Sequence, residues 1–134
     1  RIYHLGLDII VPYNSLVFCP LDGYVYKLGK ETQKGNYGGY LILKHKIKNQ
    51  TFYSLYGHLK TPHKIQLGQK ILAGQELARI GKETDSGGWF CHLHLQIITQ
   101  KAMNEGYSEW GYISEKLLSK VEEYFPNPNS LFKW

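Results

Sequence analysis

Long apolar runs are missing from this 134-residue chain. No stretch approaches the ~20 apolar residues that a membrane-spanning helix needs, so no transmembrane segment is expected within it. Cysteine is scarce. Cys19 and Cys91 are too few for a disulfide-stapled scaffold and lack metal-ligand spacing, so each reads as a small hydrophobe with a free thiol. Acidic residues are outnumbered, 11 Asp and Glu against 16 Lys and Arg, which gives a net charge of +5 and a pI near 9.1. Such a balance favours anionic partners. Nucleic acid is not expected among them, because the chain has no Gly-rich phosphate loop, RNA-binding aromatic signature or helix-turn-helix pattern. No secretory signal and no initiator methionine precede His4, so the chain reads as a piece of a longer one.

What the chain does have, almost everywhere before residue 100, is strand-forming sequence. Residues 17–19, 24–28, 40–44, 51–55, 71–72 and 77–80 are short apolar or alternating runs bounded by Gly, Asn or Asp. This is the pattern of an all-β fold, mainly an antiparallel sandwich or open barrel. Gly68-Gln69 and Gly74-Gln75 look like two similar hairpin corners. Lipoyl-type carrier barrels have comparable corners, but the exposed lysine at a tight hairpin tip that a carrier needs is missing. Residues 104–113 read as a polar loop. Ser114 then caps an expected C-terminal helix through Lys116, Leu117, Leu118, Val121 and Tyr124, ending before Pro126. The whole of 1–134 is expected to be one domain, with a β core over 1–100 and a loop-and-helix extension over 101–134. A chain of this length buries roughly two thirds of its unfolded surface, enough for an autonomous core.

Chemistry concentrates in the histidines. His92-Leu93-His94 lies in an apolar run, and in a strand both imidazoles would share one face while Leu93 and Leu95 take the other. Near the start, His4 and Asp8 are four residues apart. A helix would bring them together, but Ile9-Ile10-Val11-Pro12 is β-branched and then broken by proline. Fully extended, the two would lie roughly 13 Å apart at about 3.3 Å per residue, too far for one metal. Gly6, between them, permits the bend that would reunite them. His4, Asp8 and one histidine of the pair would then offer two nitrogens and one oxygen, a set suited to an open, hydrolytic zinc site. A third histidine, His58, ends the strand-like run Tyr53-Ser54-Leu55-Tyr56-Gly57-His58-Leu59.

Six pieces occur in order between His4 and Ile97: His4-Leu5-Gly6-Leu7-Asp8-Ile9, Leu21-Asp22-Gly23-Tyr24-Val25, Gly35-Asn36-Tyr37-Gly38-Gly39, Tyr56-Gly57-His58-Leu59, the two Gly-Gln corners, and His92-Leu93-His94-Leu95. Together they resemble the lysostaphin/LytM-type zinc metallopeptidases, which cut peptide bonds in bacterial cell-wall peptidoglycan. The resemblance implies zinc held by His4, Asp8 and His94, with His58 and His92 assisting catalysis. Spacing alone leaves open which histidine of the pair is the ligand. The resemblance further implies a water activated by the metal, and imidazoles that accept its proton or protonate the leaving amine. Cys91, Leu95 and Asn14 depart from the family's commoner residues without removing a ligand. Gly87-Gly88-Trp89-Phe90 and Pro126-Asn127-Pro128-Asn129 resemble a subgroup fused within longer chains to an aminotransferase-like domain.

The expected function is therefore a zinc-dependent endopeptidase acting on peptide or peptidoglycan. Two alternatives stand beside it: an inactive peptidoglycan-binding or activator domain, and an accessory amidase- or peptidase-like domain of a multidomain cytoplasmic enzyme. An upstream signal would place the chain in the cell envelope, and a downstream aminotransferase-like domain in the cytoplasm. Tyr3, Tyr56 and Trp89 lie in or beside the motifs and are candidates to line a peptide groove. His45 and His63 read as surface or supporting residues. Residues 35–39 read as a hairpin tip bordering the cleft.

Overall fold

In the computed structural model the described residues are 2–4, 6–31, 37–83, 90–106, 112–114 and 126, with backbone alone for 2–4 and 112–114. In chain order the elements are β1 (Ile2–His4), β2 (Leu7–Ile10), β3 (Leu16–Phe18), β4 (Gly23–Lys30), β5 (Gly39–Ile47), β6 (Gln50–Leu59), β7 (Lys70–Ile71), β8 (Glu76–Arg79), β9 (His92–Thr99), α1 (Gln100–Asn104) and β10 (Tyr112–Ser114). Six strands form one antiparallel sheet in the order β2-β9-β6-β5-β4-β7, while β1–β10 and β3–β8 are separate pairs. The mainly antiparallel β fold expected from the alternating runs is what the chain adopts. Every run expected as a strand is one, within a few residues.

The centre of the large sheet is the β5–β6 hairpin. Lys48 and Asn49 at its tip both have positive φ (48° and 68°), the pairing that lets a two-residue loop match the twist of the strands. Because residues alternate along β5, Leu41 and Leu43 enter one apolar cluster and Tyr40 and Ile42 another. The first cluster joins the large sheet to the small one through Val17 and Leu77. The second is rich in tyrosine and is closed by α1, whose Ala102 is fully buried. A sheet covered on both faces explains why β5, β6 and β9 read as near-continuous apolar runs.

The two Gly-Gln corners repeat one another. Gly68 and Gly74 take φ of 80° and 86°, and Gln69 and Gln75 each donate their backbone N–H three residues back, to Gln66 and Leu72. Each glutamine side chain then accepts from the same residue's N–H, at 3.0 and 3.1 Å. Glycine at the third position of such a turn is the type II pattern.

Five expectations changed. The short helix α1 occupies residues expected at the end of the β core and in the following loop; Thr99 caps it by accepting from the Ala102 N–H. Residues 112–114 form a strand against β1 rather than the end of that loop. Tyr56, a candidate groove residue, is packed in the first cluster at 1 % exposure, because its strand position faces the core. His45 is no surface residue but a buried one, also at 1 %. Ser114, expected to cap a helix, ends β10; the rest of the expected helix, through 124, and residues 35 and 36 of the expected tip lie outside the described residues.

Candidate functional site

β9 brings the site together. In register with β2, His94 lies opposite Asp8 and His92 opposite Ile10. Directly opposed residues in antiparallel strands share a face, so the Asp8 carboxylate and the His94 ring meet across the ladder, with Nδ1 3.1 Å from Oδ1. Nε2 of His92, on the same face, is 3.6 Å from the same oxygen. The bend required near residue 6 is present. Gly6 has a φ of 82°, and a Cβ there would stand 2.5 Å from the Leu95 carbonyl oxygen and 3.2 Å from His94 Nε2. The chain thus turns from β1 into β2 pressed against β9, at a point where only glycine fits.

His58 arrives from the far side of β9. It lies next to last in β6 with a φ of 66°, held by its N–H to the Tyr37 carbonyl at 2.8 Å and its carbonyl to the Gly81 N–H at 3.0 Å. Its ring centroid is 4.1 Å from that of His92 and 6.3 Å from that of His94. His58, His92 and His94 are all nearly buried, while the Asp8 side chain is 37 % exposed and opens the cluster to solvent. Phe90, 55 % exposed, stands 4.8 Å from the His92 ring.

Hydrogen bonds orient each ring. Nδ1 of His92 donates to the Phe90 carbonyl at 2.7 Å, so the neutral ring carries its lone pair on Nε2, toward Asp8. On His94, Nε2 faces Gln96 Oε1 at 2.9 Å and Nδ1 faces Asp8. Gln96 is fully buried and also accepts from the Tyr37 hydroxyl at 3.4 Å. Tyr37 packs 5.0 Å from the His94 ring in space left by Gly57, where a Cβ would meet the tyrosine ring at 2.8 Å. Sequence reasoning missed Gln96 and Tyr37. The signal for Gln96 was there, since two residues past His94 on a strand is the same face.

This geometry suits zinc as far as it is described. Two ligands of a tetrahedral zinc at about 2.0–2.1 Å from the metal lie roughly 3.3 Å apart, close to the observed separation of His94 Nδ1 and Asp8 Oδ1. Gln96 on the opposite nitrogen is the outer partner that a metal-binding histidine commonly has. Among the described residues no group of three His, Cys, Asp or Glu side chains could hold a metal ion. The expected third ligand, His4, is described in its backbone alone, at the end of β1. Both cysteines are free, as expected, with Cys19 buried and Cys91 partly so. Burial pushes the Cys19 thiol pKa up, which disfavours the reactive thiolate.

Solved structures with this fold include the catalytic domain of the antimicrobial peptidase lysostaphin from Staphylococcus simulans. It is 19 % identical, with 87 % of this chain and 79 % of that one aligned at a TM-score of 0.63. The catalytic domain of the prophage-encoded M23 protein EnpA from Enterococcus faecalis, in a variant form, is 20 % identical over 73 % of this chain and 69 % of its own, TM-score 0.59. A putative glycyl-glycine endopeptidase from Ruminococcus gnavus is 21 % identical over 94 % of this chain but 44 % of its own, TM-score 0.56. At these identities the likeness is one of fold. No curated protein matches the chain. The family model of peptidase family M23 matches residues 2–105, most of the chain and every histidine and carboxylate of the cluster, and the chain belongs to that family.

Proposed function

We propose that the chain is a zinc-dependent endopeptidase that hydrolyses peptide bonds, with peptidoglycan cross-links as its substrate class. His4, Asp8 and His94 would hold the metal. His58 and His92 would move the protons. The observation that carries this reading is the meeting of the Asp8–His94 pair with the adjacent, mutually tilted His58 and His92 rings in a member of a peptidase family.

Zinc, when bound, supplies Lewis acidity toward a peptide carbonyl and lowers the pKa of a water toward neutrality. The chain's own residues supply the rest. Gln96 fixes the His94 ring so that Nδ1 points to Asp8. The Phe90 carbonyl fixes the His92 proton on Nδ1 and leaves Nε2 free to accept one from water at the cluster's open side. His58, against His92, can hold the second proton and give it to the departing amine or to the carbonyl oxygen. Phe90 provides an apolar wall for an extended peptide.

The test is hydrolysis of purified peptidoglycan and of an oligoglycine peptide, read as newly released amino groups, with zinc content measured on the same protein. About one zinc per chain with chelator-sensitive release of amines supports the reading. Zinc-loaded protein that releases none from either substrate overturns it.

A further inference from the structure

A cavity of about 730 Å³ opens between residues 60–65 and β8, within the size range of ligand pockets. Its lining is basic. Lys60, Lys64 and Arg79 contribute three cations, and Glu76 is the one carboxylate among the lining residues. Arg79 donates to the Asn14 carbonyl at 2.9 Å, a neutral partner that leaves its charge uncompensated. Beside Asn14, the half-exposed Tyr13 ring has the Lys60 ammonium 5.7 Å and the Lys82 ammonium 5.5 Å from its centroid. Clefts lined by one sign of charge concentrate the opposite sign.

His63 also lines the cavity, and its Nε2 donates to the Gly29 carbonyl at 2.9 Å, which leaves the lone pair of the neutral ring on Nδ1. That Nδ1 is, among the described residues, the one buried side-chain nitrogen or oxygen without a hydrogen-bond partner. Buried polar atoms nearly always have one, but this nitrogen is enclosed in the wall and, as an acceptor, offers nothing to a carboxylate, so the cations alone take the anion.

The cavity adjoins the histidine cluster. The Lys60 N–H donates to the Arg79 carbonyl at 2.8 Å, and the Gly81 N–H to the His58 carbonyl at 3.0 Å. Lys60 follows His58 by two residues, so their Cα atoms are at most roughly 7.6 Å apart, two steps of 3.8 Å. A peptide lying extended past His58 would bring a side chain two or three residues from the scissile bond to this opening.

We infer that the cavity is a subsite for an acidic residue of the substrate peptide, whose carboxylate is taken by Lys60, Lys64 and Arg79. The inference rests on the endopeptidase reading for the identity of the ligand as a peptide. Exposed ion pairs are individually weak, so three cations together should give a preference of about tenfold at low salt, shrinking as salt rises.

The probes are two capped octapeptides, each with a tetraglycine centre, flanked on both sides by two glutamates in one and two glutamines in the other. Calorimetry measures their binding to the zinc-loaded parent and to the Lys60→Met/Lys64→Met double variant, and cleavage is followed in parallel. The parent should bind the glutamate peptide about tenfold more tightly, and the double variant less than threefold. Lys64→Glu should reverse the preference. Equal binding by the parent, or a preference that survives in the double variant, overturns the subsite, even if both peptides are cut. Lysine-dependent preference without cleavage of either peptide supports the subsite and counts against the endopeptidase reading instead.

Discussion

Among single residues, His92 and His94 carry the sharpest contrast, because neighbours on one strand face are assigned different work. Replacing His94 with alanine removes the partner of Asp8 and Gln96 and should greatly weaken zinc binding. Replacing His92 or His58 should leave zinc bound and slow turnover by roughly 10²–10⁴-fold, as for general acid–base groups. Zinc content and rates measured on the same samples decide it; a His92 variant that loses zinc while the His94 variant keeps it would reverse the assignment. Away from the site, His45 is held between the Asp22 carbonyl at 2.8 Å and Ser54 Oγ at 2.7 Å, with Tyr56 Oη 2.8 Å beyond. Burial pushes its pKa down, and the Asp22 carbonyl offsets this only in part. The folded chain thus keeps His45 neutral where the unfolded chain, with a value near 6.5, takes up a proton. Its contribution to stability is present above about pH 6.5 and is lost as pH falls toward the lowered folded value. The thermal midpoint should fall on acidification through that range, and His45→Gln should flatten the slope; an unchanged slope would exclude His45 as its source. The paired histidines were legible because His-x-His in a strand has one geometric meaning. His45 was not, because nothing in a single sequence tells a buried hydrogen-bonded histidine from an exposed one.

For the elements, glycine shows how local rules and packing separate. Gly6 and Gly74 have nearly equal positive φ, 82° and 86°, but a Cβ at Gly74 meets nothing within 4 Å whereas one at Gly6 strikes β9. Gly74→Ala should therefore cost only the left-handed backbone term, about 1–2 kcal/mol. Gly6→Ala adds a steric clash of the kind that typically costs a further 1–3 kcal/mol, and it should weaken zinc binding by parting β2 from β9. Denaturant midpoints of the two variants, with zinc affinity alongside, test this; equal costs would mean that β2 is not pinned where it lies. Both glycines were visible as turn or bend positions, since turn chemistry is written locally. The short helix after β9 was not. Gln100–Asn104 is only five residues, capped by Thr99 and closed by burial of Ala102, and so short a helix owes its existence to packing rather than to its own sequence.

At the scale of the whole molecule, the expected ligands come from distant parts of the chain: His4 and Asp8 from its first strands, His94 from β9. Asp8 and His94 are 86 residues apart in sequence yet 3.1 Å apart in space. The alternating runs foretold which residues face one another's side of a sheet, but not that β9 sits between β2 and β6, because strand order is set by long-range packing that no local pattern records. A metal spanning such a separation binds the folded chain and not the unfolded one, so its affinity adds to stability by mass action. Zinc at one hundred times its dissociation constant should stabilise the fold by about 2.7 kcal/mol, and chelation should remove that increment together with the hydrolytic activity. Calorimetric scans with zinc and with chelator, on the parent and on His94→Ala, test the linkage. The parent midpoint should rise with zinc and fall with chelator, while that of the variant stays where it is. A variant that responds to zinc as the parent does would mean that the stabilising ion sits away from β9, and the assignment of Asp8 and His94 to one metal would fail with it.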